Sequence, residues 1–187
     1  GATVQELSNT SWAFAVRRVH HEPLLYSISA AALPRIQEFD WQAISMTAWS
    51  FAELALRHEP LLEAISSPAI ALRRSGTITS QHIATTAWAF AALPKADAPL
   101  LDAIAAAAIA PMEGSAFEPR SIANTFWSVA LLSFRHVPLI EALSAAALTR
   151  LADFETQGLA NTAWSCATLR IRDHRPLMEA ISAEALA

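Results

Sequence analysis

The chain is poor in the residues that mark several common classes of protein. A single cysteine, Cys166, excludes an internal disulfide framework. The longest apolar stretch, Ala103 to Met112, is about half of the ~20 residues that a membrane-spanning helix needs. Lysine occurs once, at Lys95, and the formal net charge is −4, whereas proteins that neutralise phosphates usually carry a basic surplus. The composition therefore disfavours a disulfide-rich domain, a membrane protein and a strongly basic nucleic-acid binder.

A tetrad that ends in tryptophan recurs five times along the chain. Successive tryptophans of these tetrads are 37, 39, 39 and 37 residues apart. A period of this length is typical of a solenoid, in which each unit buries its apolar face by stacking on its neighbours. The five copies are Asn9-Thr10-Ser11-Trp12, Met46-Thr47-Ala48-Trp49, Thr85-Thr86-Ala87-Trp88, Asn124-Thr125-Phe126-Trp127 and Asn161-Thr162-Ala163-Trp164.

Each unit carries start signals for two helices. Thr3, Asp40 and Thr79 precede the tetrads and are good N-cap residues for a first helix. Each second helix is predicted to begin at a proline, a residue that suits the first helical turn. We therefore predict an all-α fold, an α-solenoid of about five two-helix repeats of ~38 residues. The repeats of this single array span approximately 3–39, 40–78, 79–117, 118–154 and 155–187.

The two ends of the array lack an obvious polar capping unit, which a solenoid normally needs. The fifth repeat stops earlier in its pattern than the others. We expect a segment of a longer protein, with any targeting peptide outside these residues.

The run from Gln157 to Trp164, Gln157-Gly158-Leu159-Ala160-Asn161-Thr162-Ala163-Trp164, resembles the octotricopeptide repeat. A proline-led second helix follows the run, as in that family, which is often associated with a RAP domain. The resemblance extends over essentially the whole chain. It implies an α-solenoid that binds single-stranded RNA in a chloroplast or mitochondrion, one or a few bases per repeat. The implied roles are transcript processing, stability or translation.

The residue three positions before each tryptophan forms a candidate RNA-reading row on the concave face. Amide and hydroxyl side chains suit the recognition of base edges, because an amide can donate and accept together. The alternative is that these side chains satisfy backbone carbonyls between repeats. Met46 occupies the same column and would not read a base. The candidate readout residues are Asn9, Thr85, Asn124 and Asn161.

Arginines eight residues after the tryptophans form a second candidate row. A ladder of guanidinium groups could contact the phosphates of a bound strand. The alternative is that they are solvated cations near a helix C-terminus, where the helix dipole favours positive charge. The residues are Arg57, Arg135 and Arg172.

The other columns are predicted to be structural. The tetrad threonines should bond back to a carbonyl one turn earlier. Tryptophan can stack on bases, but small and apolar neighbours favour core positions for all five, so Trp88→Ala should cost ~3–5 kcal/mol. Cys166 occupies a column that elsewhere holds phenylalanine, and we expect a buried thiol.

No motif points to catalysis, a cofactor or a metal. His21, His58 and His136 recur once per repeat, which places them roughly 8–10 Å apart after stacking. A zinc ion needs donors about 2 Å away, so this ladder cannot share one metal. The chain also lacks a glycine-rich phosphate loop and a nucleophile elbow. We expect no enzyme, no cofactor and no small-molecule substrate.

Two functions remain open at this point. The first is an organellar RNA-binding helical-repeat protein, favoured by the resemblance and the Asn/Thr row. The second is a protein–protein interaction scaffold or peripheral structural subunit of a large organellar complex, favoured by the acidic balance. The charge of the concave surface distinguishes them: a positive groove favours RNA, and a neutral or acidic groove favours the scaffold.

Overall fold

The structure is a computed structural model of the chain. It describes residues 1–72, 78–93, 98–113, 117–170 and 175–185, and at helix positions 67–72, 110, 111 and 113 it describes the backbone alone. Within these ranges the fold is entirely helical, with ten α-helices and no strand, which confirms the predicted α-solenoid class.

Two helices follow one another in each repeat. Two 3₁₀ segments, Leu33–Glu38 and Leu151–Asp153, connect the first repeat to the second and the fourth to the fifth. The helices are α1 (Val4–Val16), α2 (Glu22–Ala32), α3 (Trp41–Glu53), α4 (Glu59–Leu72), α5 (Ser80–Ala92), α6 (Ala98–Glu113), α7 (Pro119–Leu131), α8 (Val137–Thr149), α9 (Thr156–Leu169) and α10 (Arg175–Glu184).

The first helices begin where the capping residues of the sequence predict. Thr3, Asp40 and Thr79 are N-caps of α1, α3 and α5, and each accepts a hydrogen bond from a backbone N–H of the first turn. In α7, Pro119 stands at the first helical position, after the N-cap Glu118. The side chains of Thr3, Asp40 and Thr79 therefore satisfy donors that a helix start leaves without partners.

The histidines of the predicted ladder also serve as caps. The Nδ1 atom of His21 accepts a hydrogen bond from the N–H of Leu24 at 3.1 Å. His58 and His136 accept in the same way at the starts of α4 and α8, at 3.2 and 3.1 Å. Each histidine therefore stabilises the N-terminus of its own second helix.

The helices form two layers with the core between them. The first helices α1, α3, α5, α7 and α9 pack side by side in chain order, and the second helices α4, α6, α8 and α10 pack in a second layer. In α3 the side chains of Ile44, Ala48 and Phe51 are fully buried. Their spacing of four and three residues makes one helix face, which packs against the second layer.

The tryptophans do not occupy this core face, and the prediction that all five are largely buried is wrong. Trp12 and Trp164 are each 44% exposed, and Trp49, Trp88 and Trp127 are half-buried. The physical reason is competition between two apolar faces of one helix. In α5, Ile83, Ala87 and Phe90 fill the space between the layers, so the ring of Trp88 lies to one side of it.

The tetrad threonines satisfy their hydroxyl groups in three of five repeats. Thr10, Thr125 and Thr162 donate to the carbonyl four residues earlier, at 2.7, 2.7 and 2.8 Å. The hydroxyl groups of Thr47 and Thr86 are buried and have no hydrogen-bond partner among the described residues. The predicted back-bonding therefore holds for the first, fourth and fifth repeats and is wrong for the second and third.

Four of the first helices end in a left-handed residue that is not glycine. Arg18, Ala55, Ser133 and Arg170 have φ between 50° and 53°. After α3, the N–H of Leu56 reaches back to the carbonyl of Phe51 at 2.8 Å, which is the bond of a Schellman cap. This tight turn reverses the direction of the chain, so that α4 packs against α3.

No helix in the described ranges combines the length and apolarity that crossing a membrane requires.

Candidate binding groove on the first-helix layer

A groove of about 1210 Å³ runs across the outer face of α1, α3, α5 and α7. A second pocket of about 400 Å³ lies between α7 and α9 and shares Glu118, Arg120 and Asn124 with the groove. Together they form a continuous path over all five first helices, which we call the groove. It is the surface on which an extended ligand would contact every repeat.

One stripe of each first helix lines the groove. In α3 the stripe consists of Gln42, Met46 and Trp49, and in α5 of Gln81 and Thr85 followed by Trp88. These positions are four and three residues apart, so they share one helix face. In α3 and α5, an amide, a variable side chain and an indole ring therefore line the groove in the same order.

The structure brings the predicted readout residues together. Asn9, Thr85 and Asn124 line the groove with Met46, and Asn124 and Asn161 line the pocket between α7 and α9. The amide of Asn9 accepts a hydrogen bond from Nε2 of Gln5 at 3.0 Å.

The other three predicted readout side chains have open hydrogen-bonding capacity. Among the described residues, no hydrogen bond uses the side chains of Thr85, Asn124 or Asn161, which are half-buried. The bonds near the two asparagines go to their backbone carbonyls, which accept from Ser128 and Ser165. These side chains are free to bind a ligand, and their role in reading RNA stays a prediction.

The predicted phosphate row lies apart from the groove. Arg57 and Arg135 are exposed in the turns after α3 and α7, and neither residue lines the groove. Arg57 forms an ion pair with Glu59 at 3.3 Å. Arg172 lies outside the described residues. The structure therefore does not place Arg57 and Arg135 beside the readout residues, and their contact with phosphate stays a prediction.

The groove carries little net charge. Its lining over α1 to α7 contains one carboxylate, Glu118, and one guanidinium, Arg120. The pocket between α7 and α9 adds Asp153 and Glu155, so three carboxylates face one guanidinium there. Arg150 lies close to Asp153, at 3.2 Å, and offsets part of that charge. The surface is neutral at one end and acidic at the other.

His82 keeps the middle of the groove uncharged at neutral pH. Burial lowers its pKa, and the negative charge of Asp40 partly opposes this effect. The side chain also belongs to a capping box: Nδ1 of His82 accepts from the N–H of Thr79 at 3.4 Å, and the hydroxyl of Thr79 accepts from the N–H of His82 at 3.3 Å.

Sequence reasoning missed two parts of the groove. The amides of Gln42 and Gln81 and the guanidinium of Arg120 line it, although ligand contacts were predicted only for the column three residues before tryptophan and for the arginines eight residues after it. The sequence contained a signal for these residues, because the position seven residues before tryptophan holds Gln, Gln, Gln, Arg and Gln in the five repeats. The tryptophans were also missed, because their apolar neighbours suggested a core position.

The described residues contain no group of three or more His, Cys, Asp or Glu side chains that could hold a metal ion. Cys166 is buried, as its phenylalanine column predicts. Burial raises the pKa of its thiol to about 11, which disfavours the reactive thiolate.

Comparison with protein families gives one assignment. Residues 2–187 match the family described as RNA-editing substrate-binding complex 6 protein. No curated protein matches the chain. The match spans nearly the full length of the helical array. The chain therefore belongs to the RNA-editing substrate-binding complex 6 family.

Proposed function

We propose that this chain is a non-catalytic scaffold subunit of an RNA-editing substrate-binding complex, and that the groove is its principal protein-binding surface. Two observations support the proposal: the family name refers to such a complex, and the groove is neutral to acidic. Of these, the charge of the groove carries the argument. The family name fits both protein and RNA partners.

The charge of the groove argues against a primary role in holding RNA. The salt-dependent part of RNA affinity comes from the neutralisation of phosphates by lysine and arginine side chains. Arg120 is the cation of the groove lining, and it lies in the same lining as Glu118. A protein segment has no obligatory charge, and its backbone amides can bond to asparagine and glutamine side chains. The groove composition suits such a ligand better than a polyanion.

A second candidate function is the binding of single-stranded organellar RNA in the same groove. It is favoured by the ring of Trp12, which lines the groove and is 44% exposed, since bases stack on exposed aromatic rings. The rings of Trp127 and Trp164, which are not part of the groove lining, do not extend this stacking surface. Their centroids are 6.4 Å apart with planes inclined at 36°, which is a ring–ring contact rather than an open slot for a base.

Three further expectations are part of the proposal. The tetrads support a relationship of the repeat unit to octotricopeptide repeats, and with it a location in a chloroplast or mitochondrion. The neutral to acidic groove, in which His82 is uncharged, and the buried, protonated thiol of Cys166 in the core support a subunit that binds partners without performing chemistry. A role in transcript processing, stability or translation would follow from membership of the complex.

The proposal is tested by affinity purification of the tagged chain from its own cells after digestion with ribonuclease. A scaffold keeps the other subunits of the RNA-editing substrate-binding complex when RNA is removed. Trp12→Ala alters the groove and should reduce this association. Tyr26→Ala is a matched control, because Tyr26 is also 44% exposed but lies on α2, away from the groove.

Two outcomes would contradict the proposal. The first is loss of the other subunits from the unmodified chain on ribonuclease treatment alone, which would make RNA the bridge. The second is an equal effect of Trp12→Ala and Tyr26→Ala, which would show that the other subunits do not bind in the groove.

A further inference from the structure

The groove has two chemically different halves. Over α1, α3 and α5 it is lined by the indole rings of Trp12, Trp49 and Trp88. Over α7 and α9 neither Trp127 nor Trp164 lines it, and their rings contact each other instead, with centroids 6.4 Å apart. The first half therefore offers flat apolar surface to a ligand, and the second half offers mainly polar groups.

Carboxylates are concentrated in the second half, in the pocket between α7 and α9. Glu118 and Glu155 are the N-cap residues of these two helices, but neither side chain caps its helix. Both residues are exposed, and among the described residues no hydrogen bond or ion pair uses either carboxylate. Asp153 lines the same pocket and is paired with Arg150 at 3.2 Å. The carboxylates of Glu118 and Glu155 are therefore available to a ligand.

The pocket keeps an excess of negative charge even when both nearby arginines are counted. Its lining holds three carboxylates and the guanidinium of Arg120, and Arg150 pairs with Asp153 from outside the lining. Three negative groups and two positive groups leave a formal charge of −1. One cationic side chain of a ligand would neutralise this excess, so charge complementarity favours an arginine or lysine at this point.

The two halves lie close enough for one short segment of chain to contact both. Packed helices are about 8–10 Å apart, and an extended chain advances ~3.3 Å per residue. Each repeat therefore corresponds to about three residues of an extended ligand. The pocket between α7 and α9 lies one and a half helix spacings beyond α5, which carries Trp88. A ligand side chain over Trp88 and one in the pocket are thus about four or five residues apart.

We propose that the groove holds an extended protein segment with a defined pattern of side chains. An apolar residue of the segment packs on the indole of Trp88. An arginine or lysine about four or five residues away enters the pocket and binds Glu118 and Glu155, and the open amides of Asn124 and Asn161 bond to the segment's backbone. The inference rests on the proposed function, which makes the groove a protein-binding surface, and it adds the chemistry of the partner.

Random peptides of about twelve residues, long enough to cross all five first helices when extended, are the probes. They are displayed on bacteriophage and selected on the unmodified chain. We expect the selected peptides to share an apolar and a basic residue at the stated spacing. In fluorescence anisotropy, Glu118→Gln/Glu155→Gln should weaken their binding about fivefold. Changing the basic residue of the peptide to glutamine should weaken it to a similar extent, and the two changes together should cause little further loss.

Glu141→Gln/Glu179→Gln is the matched control. Both residues are exposed on second helices, α8 and α10, and neither lines the groove. This variant changes the net charge by the same amount, and it should leave the affinity for the selected peptides unchanged. It therefore separates binding in the pocket from general attraction between a basic peptide and an acidic chain. Circular dichroism checks folding, and Glu155→Gln alone replaces the first double variant if that variant unfolds.

The proposal would be overturned if the selected peptides lacked a basic residue, if no peptide bound the unmodified chain, or if both double variants weakened binding equally. It would also be overturned if single-stranded RNA bound the unmodified chain at micromolar concentration and Asn124→Ala weakened that binding, because the ligand would then be a polyanion. The purification after ribonuclease digestion tests the proposed function separately, since other subunits can occupy the groove without an arginine or lysine in the pocket.

Discussion

Phe90 and Trp88 lie two residues apart on α5, in the central repeat, and form a matched pair of aromatic truncations. Phe90 is 0% exposed between the two layers. Trp88 is half-buried, with one side packed on the core and the other facing the groove. Phe90→Ala removes a ring that is surrounded on all sides, and we expect a loss of ~3–5 kcal/mol in the free energy of unfolding. Trp88→Ala should cost about half as much, ~1.5–2.5 kcal/mol, because part of its surface is already in water.

The assay is urea unfolding followed by far-ultraviolet circular dichroism, since indole fluorescence changes when Trp88 is removed. A shift of the midpoint with an unchanged slope reports stability. A lower slope in either variant would mean that the repeats no longer unfold together. Thr85→Ala is the control, because its half-buried side chain has no hydrogen bond among the described residues and should change stability by less than ~0.5 kcal/mol.

The reasoning would be refuted by either of two results. The first is an equal loss of stability for Trp88→Ala and Phe90→Ala, which would make the tryptophans core residues, as the sequence pattern suggested. The second is a loss of less than ~1 kcal/mol for Phe90→Ala, which would mean that the stripe assigned to the core is wrong.

Three other predictions follow from local features. Ala55→Gly should raise the free energy of unfolding by about 0.5–1 kcal/mol in urea melts, because Ala55 has a left-handed φ of 52° that glycine adopts without strain. Ala52→Gly inside α3 is the control, and it should lower the free energy of unfolding. Because burial lowers the pKa of His82 from 6.5, the folded chain binds this proton less readily than the unfolded chain. The stability that neutral His82 provides is therefore complete above pH 6.5 and is lost as the pH falls below it. His82→Gln should reduce the drop in urea midpoint between about pH 7.5 and about pH 5.5, and an unchanged drop would exclude His82 as its source. Burial raises the pKa of the Cys166 thiol to about 11. This thiol should therefore react with a disulfide reagent far more slowly in the folded chain than in denaturant. Equal reaction rates would contradict its burial.

The sequence was sufficient to predict the helical array, since the tetrad and the proline of the second helix recur in every repeat. Thr3, Asp40 and Thr79 cap their helices through local hydrogen bonds, and these bonds depend on residues three positions away. Local chemistry of this kind can be read from the order of the residues.

The burial of the tryptophans could not be predicted in the same way. Trp49 and Phe51 are both apolar and both belong to α3, so the sequence pattern alone predicts a core position for each. Only the packing of neighbouring repeats shows that Phe51, at 0% exposure, fills the space between the layers. The indole of Trp49 then lies on the groove side.

The candidate site was predicted in part. In the structure, the column that contains Asn9 and Asn124 lies on one surface with Met46, and its contact with RNA stays a prediction. The position of Arg57 was harder to foresee, because the first helix ends at Glu53 and the turn carries Arg57 beyond the groove lining. Helical spacing predicts shared faces only as far as the helix continues.

The central claim is that the groove is a neutral surface for protein partners, and RNA binding by the isolated chain tests it most directly. The measurement is the affinity for single-stranded RNA at two salt concentrations, by fluorescence anisotropy. The account predicts a Kd weaker than ~100 μM at low salt, beneath the usual non-specific range. A micromolar Kd that weakens steeply with salt, and is weakened further by changing Asn124 or Arg120, would contradict it and make RNA the ligand of the groove.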